Sequence, residues 1–278
     1  MIVDGHAHSA GEFYRGEDIV RNLDEVGVDK VILCPGPVNE PRKWPVPPLA
    51  KVFRKRGLGL AGNRLLRLTA GYVARRTDLA EANAYVASLA RRYPGRIVQN
   101  YWVDPGSPAD LGGLAARHDE WKFRSLKVHQ CFQRVPSDSP GMDELARFAA
   151  ERGLPVFIHL YAKRDAVGLL RLAAAHPGTT FVIAHLLGLD VFAAADRART
   201  TNVFFDISPP NLNPLRLVER ALGTFGPKRL LLGSDTPYGK DNLRMSLERV
   251  NGLRLGDGEK ALILGGNAGR LFFGVGPQ

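Results

Sequence analysis

Cysteine is nearly absent. Cys34 and Cys131 are the two in 278 residues. That is too few for a disulfide framework, and neither sits in a CxxC pair, which points to a reducing cytoplasm. No run of eighteen or more apolar residues occurs, and mean hydropathy is −0.14, so a transmembrane helix is excluded. The opening decapeptide MIVDGHAHSA lacks the basic start and apolar stretch of a secretory signal. Acid is missing from one region. Between Arg42 and Arg76 lie ten basic residues, Arg42, Lys43, Lys51, Arg54, Lys55, Arg56, Arg64, Arg67, Arg75 and Arg76, with no Asp or Glu. The chain carries 38 Lys and Arg against 28 Asp and Glu. Without that segment 28 basic residues face the 28 acids, so the net charge of +10 is a local feature laid on a neutral body.

What is abundant is alternation. Continuous apolar runs, the pattern of strands covered on both faces, occur at Ile2–His8, Lys30–Gly36, Ile97–Asp104, Ser125–Gln130, Pro155–Leu160, Thr180–Leu186, Val203–Ser208 and Arg229–Asp235. Amphipathic stretches separate them, at Asp18–Val26, Leu79–Arg92, Met142–Arg152, Ala166–Ala175, Val191–Arg199, Leu215–Leu222 and Leu243–Val250. Residues 109–122 form the weakest helix, interrupted by Gly112 and Gly113. Eight strands alternating with helices predict an α/β fold, a closed (β/α)8 TIM barrel. A Rossmann sheet is disfavoured because no Gly-rich dinucleotide loop follows the first strand. No linker or composition break divides residues 1–278, so one domain is expected. Residues 37–76 are too long for an ordinary connection. They read as a basic, partly helical lid inserted after the second strand, over the barrel mouth.

The chemistry-bearing residues recur at strand ends. His6 and His8, two apart on a strand, project to the same face and make a natural pair of metal ligands. Strand four ends SLKVHQ with Lys127 and His129, strand five FIH with His159, strand six IAH with His185, and strand eight GSD with Asp235. Apolar strands ending in a lone polar residue are the pattern of a barrel's catalytic face.

These segments resemble the amidohydrolase superfamily, specifically its amidohydrolase-2 group, over nearly the whole chain. DGHAH is similar to that group's first metal motif, SLKVHQCFQ to its fourth-strand segment, with Gln130 where proline is usual, and GSDTPYG to its eighth strand. ILGGNAGRLF is similar to its closing helix, where Asn267 takes a structural role. The resemblance implies His6, His8, His159 and Asp235 as ligands of one divalent ion, zinc first and manganese second. His185 then polarises substrate or helps activate water, and Asp235 doubles as the general base. It also leaves two roles open for Lys127. Carboxylated, it would bridge two ions and recruit His185 as a ligand; as an ammonium, with His129 beside it, it would orient a substrate carboxylate. TatD-type nucleases share the barrel but resemble a glutamate where this chain has Lys127, which counts against nucleic acid.

Weaker candidates for substrate contact are Tyr161 and Lys163 after strand five, and Tyr238 and Lys240 after strand eight. Asp206 reads as a structural hydrogen-bonding group, both cysteines as inert thiols, and Trp102 as core. The first functional reading is a metal-dependent hydrolase of a C–N or C–O bond in a small carboxylated substrate. The second is a metal-dependent non-oxidative decarboxylase of the same group. The third is a non-catalytic protein that binds a partner through the basic lid. An anionic small molecule is the expected partner, and homo-oligomerisation stays open.

Overall fold

The computed structural model describes residues 1–36, 78–239 and 241–274. The basic lid at 37–76, with Trp44, lies outside the described residues, as does Lys240. Eight strands run β1 (Val3–Ser9), β2 (Lys30–Pro35), β3 (Ile97–Trp102), β4 (Ser125–His129), β5 (Val156–His159), β6 (Phe181–Ile183), β7 (Val203–Asp206) and β8 (Leu230–Leu231). They form one parallel sheet in chain order. Closure comes from β1 meeting the chain that follows β8. Gly5 N donates to Leu232 O at 2.9 Å, Asp235 N to His6 O at 2.8 Å, and His8 N to Thr236 O at 2.8 Å. A Cβ on Gly5 would stand 2.8 Å from Leu232 O, so this seam requires glycine. The expected barrel is therefore observed.

Strand alternation divides the core in two. Val31, Leu33, Ile97, Leu126, Val156 and Phe205 face the surrounding helices. Val3, Ile32, Phe157, Val182, Phe204 and Leu231 fill the barrel interior, closed by Ala268 and Phe272 of the last helix, Asn267–Phe273. The helices begin where their caps dictate: Asp78 accepts from Glu81 N, and Ser139 from Met142 N with a proline at the first helical position, each satisfying an otherwise orphaned amide.

Several elements depart from the sequence reading, among them the sixth strand, which ends at Ile183 and passes into a 3-10 turn at Ala184–Leu186. The helix expected over 191–199 is Leu189–Ala193 followed by a 3-10 turn at Arg197–Thr200. Asp196 stops it, because its carboxylate accepts from Ala198 N and offers the backbone an alternative to the helix. The eighth strand pairs over two residues only, since the chain beyond it turns to build the barrel mouth. The weak 109–122 region is two short helices, Pro108–Gly112 and Leu114–Trp121, hinged at Gly113. Among the described residues no helix is long and apolar enough to cross a membrane.

Candidate metal centre

At the C-terminal mouth of the barrel, His6 and His8 bring their Nε2 atoms to 3.2 Å. Asp235 Oδ1 completes a triangle, 3.5 Å from His8 Nε2 and 3.8 Å from His6 Nε2. Its other oxygen, Oδ2, faces His185 Nε2 at 3.9 Å. Lys127 Nζ lies 3.1 Å from His6 Nε2 and 4.6 Å from the centre of the Phe157 ring. Lys127 is fully buried, so it does not snorkel to the barrel rim.

Each of these histidines is held by its Nδ1. His6 Nδ1 donates to Asp206 Oδ2 at 3.0 Å, His8 Nδ1 to Pro35 O at 3.1 Å, and His185 Nδ1 to Ser208 O at 2.9 Å. A proton on Nδ1 leaves the Nε2 lone pair free, as ligation requires. The His6 and His8 Nε2 atoms then converge 3.2 Å apart, with Lys127 Nζ 3.1 Å from the first, where a cation would be held. The triangle edges of 3.2, 3.5 and 3.8 Å bracket the spacing of roughly 3.3 Å between donors on a tetrahedral ion with bonds of about 2.0–2.1 Å. The donor set fits a divalent ion.

Electrostatics agree with a centre built for positive charge. Burial holds His6 well below the ordinary imidazole value, His8 near about 3 and His185 near about 4. They are neutral imidazoles near pH 7. Burial also lowers the Lys127 ammonium, and it pushes Asp235 up to about 7. Desolvation is the largest cause throughout, with Lys127 acting against it at Asp235.

His129 and His159 stand beside this cluster as a pair, ring centres 4.1 Å apart and 9° from parallel, because β4 and β5 pair them in register. His159 approaches His185 at 5.0 Å between ring centres, and its Nδ1 is 3.6 Å from Cys131 Sγ. Trp102 stacks on His129 at 5.6 Å, Phe132 meets it edge-on at 4.5 Å, and Tyr238 meets His8 edge-on at 5.0 Å. Tyr161 sits farther out, under the Arg134 guanidinium. Lys163 is exposed at the first turn of helix Lys163–Ala175.

The supporting groups were largely hidden in the sequence. Asp206 does make a structural bond, but its partner is His6, and Ser208 Oγ donates to the same carboxylate at 2.5 Å. The FDIS segment that puts both on one face was the available signal. Asp4 had none. Its buried carboxylate accepts from Ser234 N at 2.9 Å and Ser234 Oγ at 2.6 Å, pinning β1 to the turn that carries Asp235. Cys34 packs on His8, Sγ 3.4 Å from Nδ1, with its thiol pushed up to about 12 by burial. That keeps it protonated, in line with the inert reading, although no sequence neighbour announced the contact. His185, Leu186 and Asp235 hold φ of 58°, 52° and 56°, left-handed backbone that non-glycine residues adopt mainly where surrounding structure imposes it.

Gly233 tests this packing. A Cβ there would stand 2.2 Å from Asp206 Oδ1 and 3.0 Å from His6 Cβ. Gly233→Ala is expected to displace Asp206, free the His6 ring and weaken zinc binding about 10- to 100-fold. A titration of the purified variant matching wild type would show that the Asp206 anchor is dispensable.

A barrel with imidazoles and a carboxylate converging at its mouth defines a metal-dependent enzyme. A family model described as Amidohydrolase matches residues 3–274, and the chain belongs to that family, in its amidohydrolase-2 group. No curated protein matches it. Among solved structures it is similar to 5-carboxyvanillate decarboxylase from Sphingomonas paucimobilis, at 13% identity, 98% of each chain and TM-score 0.65. It is also similar to a manganese-bound dihydroxybenzoic acid decarboxylase from a Polaromonas species, at 16% identity, covering 98% of this chain and 96% of that one, TM-score 0.66. A third is 4-oxalomesaconate hydratase from Rhodopseudomonas palustris, at 14% identity, 98% and 95% coverage and TM-score 0.64. At such identities the likeness is one of fold.

Proposed function

We propose that this protein is a metal-dependent, non-oxidative decarboxylase of small carboxylated aromatic acids. The observation that carries the reading is the convergence of His6, His8 and Asp235 beside the buried Lys127 side chain. His6, His8 and Asp235, with His159, would hold the ion, zinc in the first instance and manganese in the second. Such an ion supplies Lewis acidity and an acidified water.

The chain's own groups account for the rest. Lys127, buried and, among the described residues, in salt-bridge contact with no carboxylate, would in its ammonium form supply positive charge for an anionic substrate. The rings of Trp102, Phe132 and Tyr238 against His129 and His8 offer flat walls to an aromatic acid. Asp235 has one oxygen toward His6 and His8 and the other toward His185. The oxygen turned toward His185 is the one placed to relay a proton to the substrate, the role of a general acid. The proton goes to the substrate carbon that bears the carboxylate. The C–C bond then breaks, its electrons restore the ring, and carbon dioxide leaves. His185, fixed by Ser208 O, steers the Asp235 oxygen and the substrate. The decarboxylases among the similar folds support the choice of C–C cleavage.

Hydrolysis of a C–N or C–O bond is the second reading, because the same Asp235 could take a proton from water and pass it to a leaving group. The deciding experiment incubates metal-loaded protein with a panel of hydroxylated benzoates in deuterated water. Carbon dioxide release with one deuterium on the product carbon is expected. Cleavage of carboxylated amides or lactones, with no carbon dioxide from any benzoate, would overturn the decarboxylase in favour of the hydrolase.

A further inference from the structure

Three of the histidines at the barrel mouth are tied at Nδ1 by an acceptor of their own: a carboxylate, a proline carbonyl and a serine carbonyl. His159 has a sulfur at the corresponding position. Its Nδ1 lies 3.6 Å from Cys131 Sγ, within reach of an N–H···S bond. The fold fixes this sulfur. Beyond β4 the chain turns at once, with Phe132 N and Gln133 N both donating to His129 O at 2.9 and 3.0 Å. Gln130 fastens the turn to the end of β5: its N donates to His159 O at 3.0 Å and its Oε1 accepts from Tyr161 N at 3.4 Å. Gln130 Nε2 donates onward to Val135 O and Ser137 Oγ. Cys131, itself buried, is thereby presented to His159.

We propose that Cys131 is the positioning residue of His159: its sulfur accepts the Nδ1–H bond and so reserves Nε2 of His159 for the ion. The inference rests on the metal-dependent reading above and adds a fourth anchor to it. The competing role for this sulfur is direct ligation, since His129, Cys131 and His159 bring ligand atoms within 4.8 Å of one another. Ring geometry disfavours it. Imidazoles stacked 9° from parallel at 4.1 Å point their in-plane lone pairs side by side, whereas a shared ion needs them to converge. A neutral thiol is a weak acceptor, but it suffices to choose between two tautomers of similar energy.

The test uses the full-length protein freed of metal and titrated with zinc against a chromophoric chelator, as wild type, Cys131→Ala and Cys131→Ser. One ion per wild-type chain is expected, with affinity about 10- to 100-fold lower in Cys131→Ala and most of that loss recovered in Cys131→Ser, which keeps an acceptor. Cobalt(II) loaded into wild type should show no thiolate-to-metal charge-transfer band. Equal affinity in Cys131→Ala would overturn the proposal. So would a thiolate band in wild type that vanishes with a second ion in Cys131→Ala, which would make Cys131 a ligand. No ion bound by wild type would sink the metal-dependent reading itself, and this proposal with it. Should Cys131→Ala fail to fold, the wild-type His159 tautomer still decides. Long-range 1H–15N correlation must place the proton on Nδ1, and a proton on Nε2 refutes the assignment.

Discussion

Asp235→Asn is expected to lower turnover by about 10²- to 10⁴-fold while leaving the melting temperature of the metal-free protein unchanged or raised. The substitution separates chemistry from architecture for a structural reason. Asp235 occupies the left-handed region at φ 56°, where asparagine is among the few residues at ease. Its backbone bonds, N to His6 O at 2.8 Å and O from Tyr238 N at 2.9 Å, survive the change. What disappears is a carboxylate that faces His6 and His8 through one oxygen and His185 through the other. An amide can neither ionise nor deliver a proton. It also relieves the desolvation of a buried acid, which is why stability does not fall. Turnover measured at saturating zinc and saturating manganese isolates the proton-transfer role from weaker metal binding. A rate within about tenfold of wild type under those conditions would mean that another group carries the proton. Both the decarboxylase and the hydrolase predict the loss, and a non-catalytic binding protein does not.

The strand ends carried most of this legibility. In a parallel barrel each strand is apolar until it reaches the mouth, so a polar residue at the close of an apolar run advertises the site. That is how His6, His8, His185 and Asp235 could be read together before any coordinates, and Lys127, His129 and His159 with them. The supporting layer obeys no such rule. Asp206 and Asp4 act across 200 and 230 residues of sequence, and their partners depend on how β7 and β8 close against β1. Cys131 reads as inert because thiolate activation was sought among its sequence neighbours, whereas its contact is with the adjacent strand. The pairing of His129 with His159 needs the register of β4 on β5, which two apolar runs do not specify. Helix ends were legible where a cap was written, as at Asp78 and Ser139. They were misread where a side chain broke a good periodicity, as at Asp196.

Affinity for the divalent ion is expected to rise about tenfold for each pH unit between roughly pH 5.5 and 7, and to level off above that. The sign follows from which ligands must shed a proton. In the metal-free centre burial raises Asp235 to about 7, so below that value an ion must displace one proton from this carboxyl, and each unit of acid weakens binding by one factor of ten. His6, His8 and His185 contribute nothing in this window. His8 near about 3, His185 near about 4 and His6 well below its ordinary value are already neutral, so no imidazolium competes. Ordinary histidines, titrating around 6.5, would add their own protons and steepen the dependence toward three or four. The slope therefore counts the protons on the empty site. Competition titrations at four pH values read it directly, and Asp235→Asn should flatten it to zero. A slope near zero in wild type would remove Asp235 from the ligand set. A slope of two or more would show that the empty centre holds charged histidines, with Lys127 unprotonated beside them.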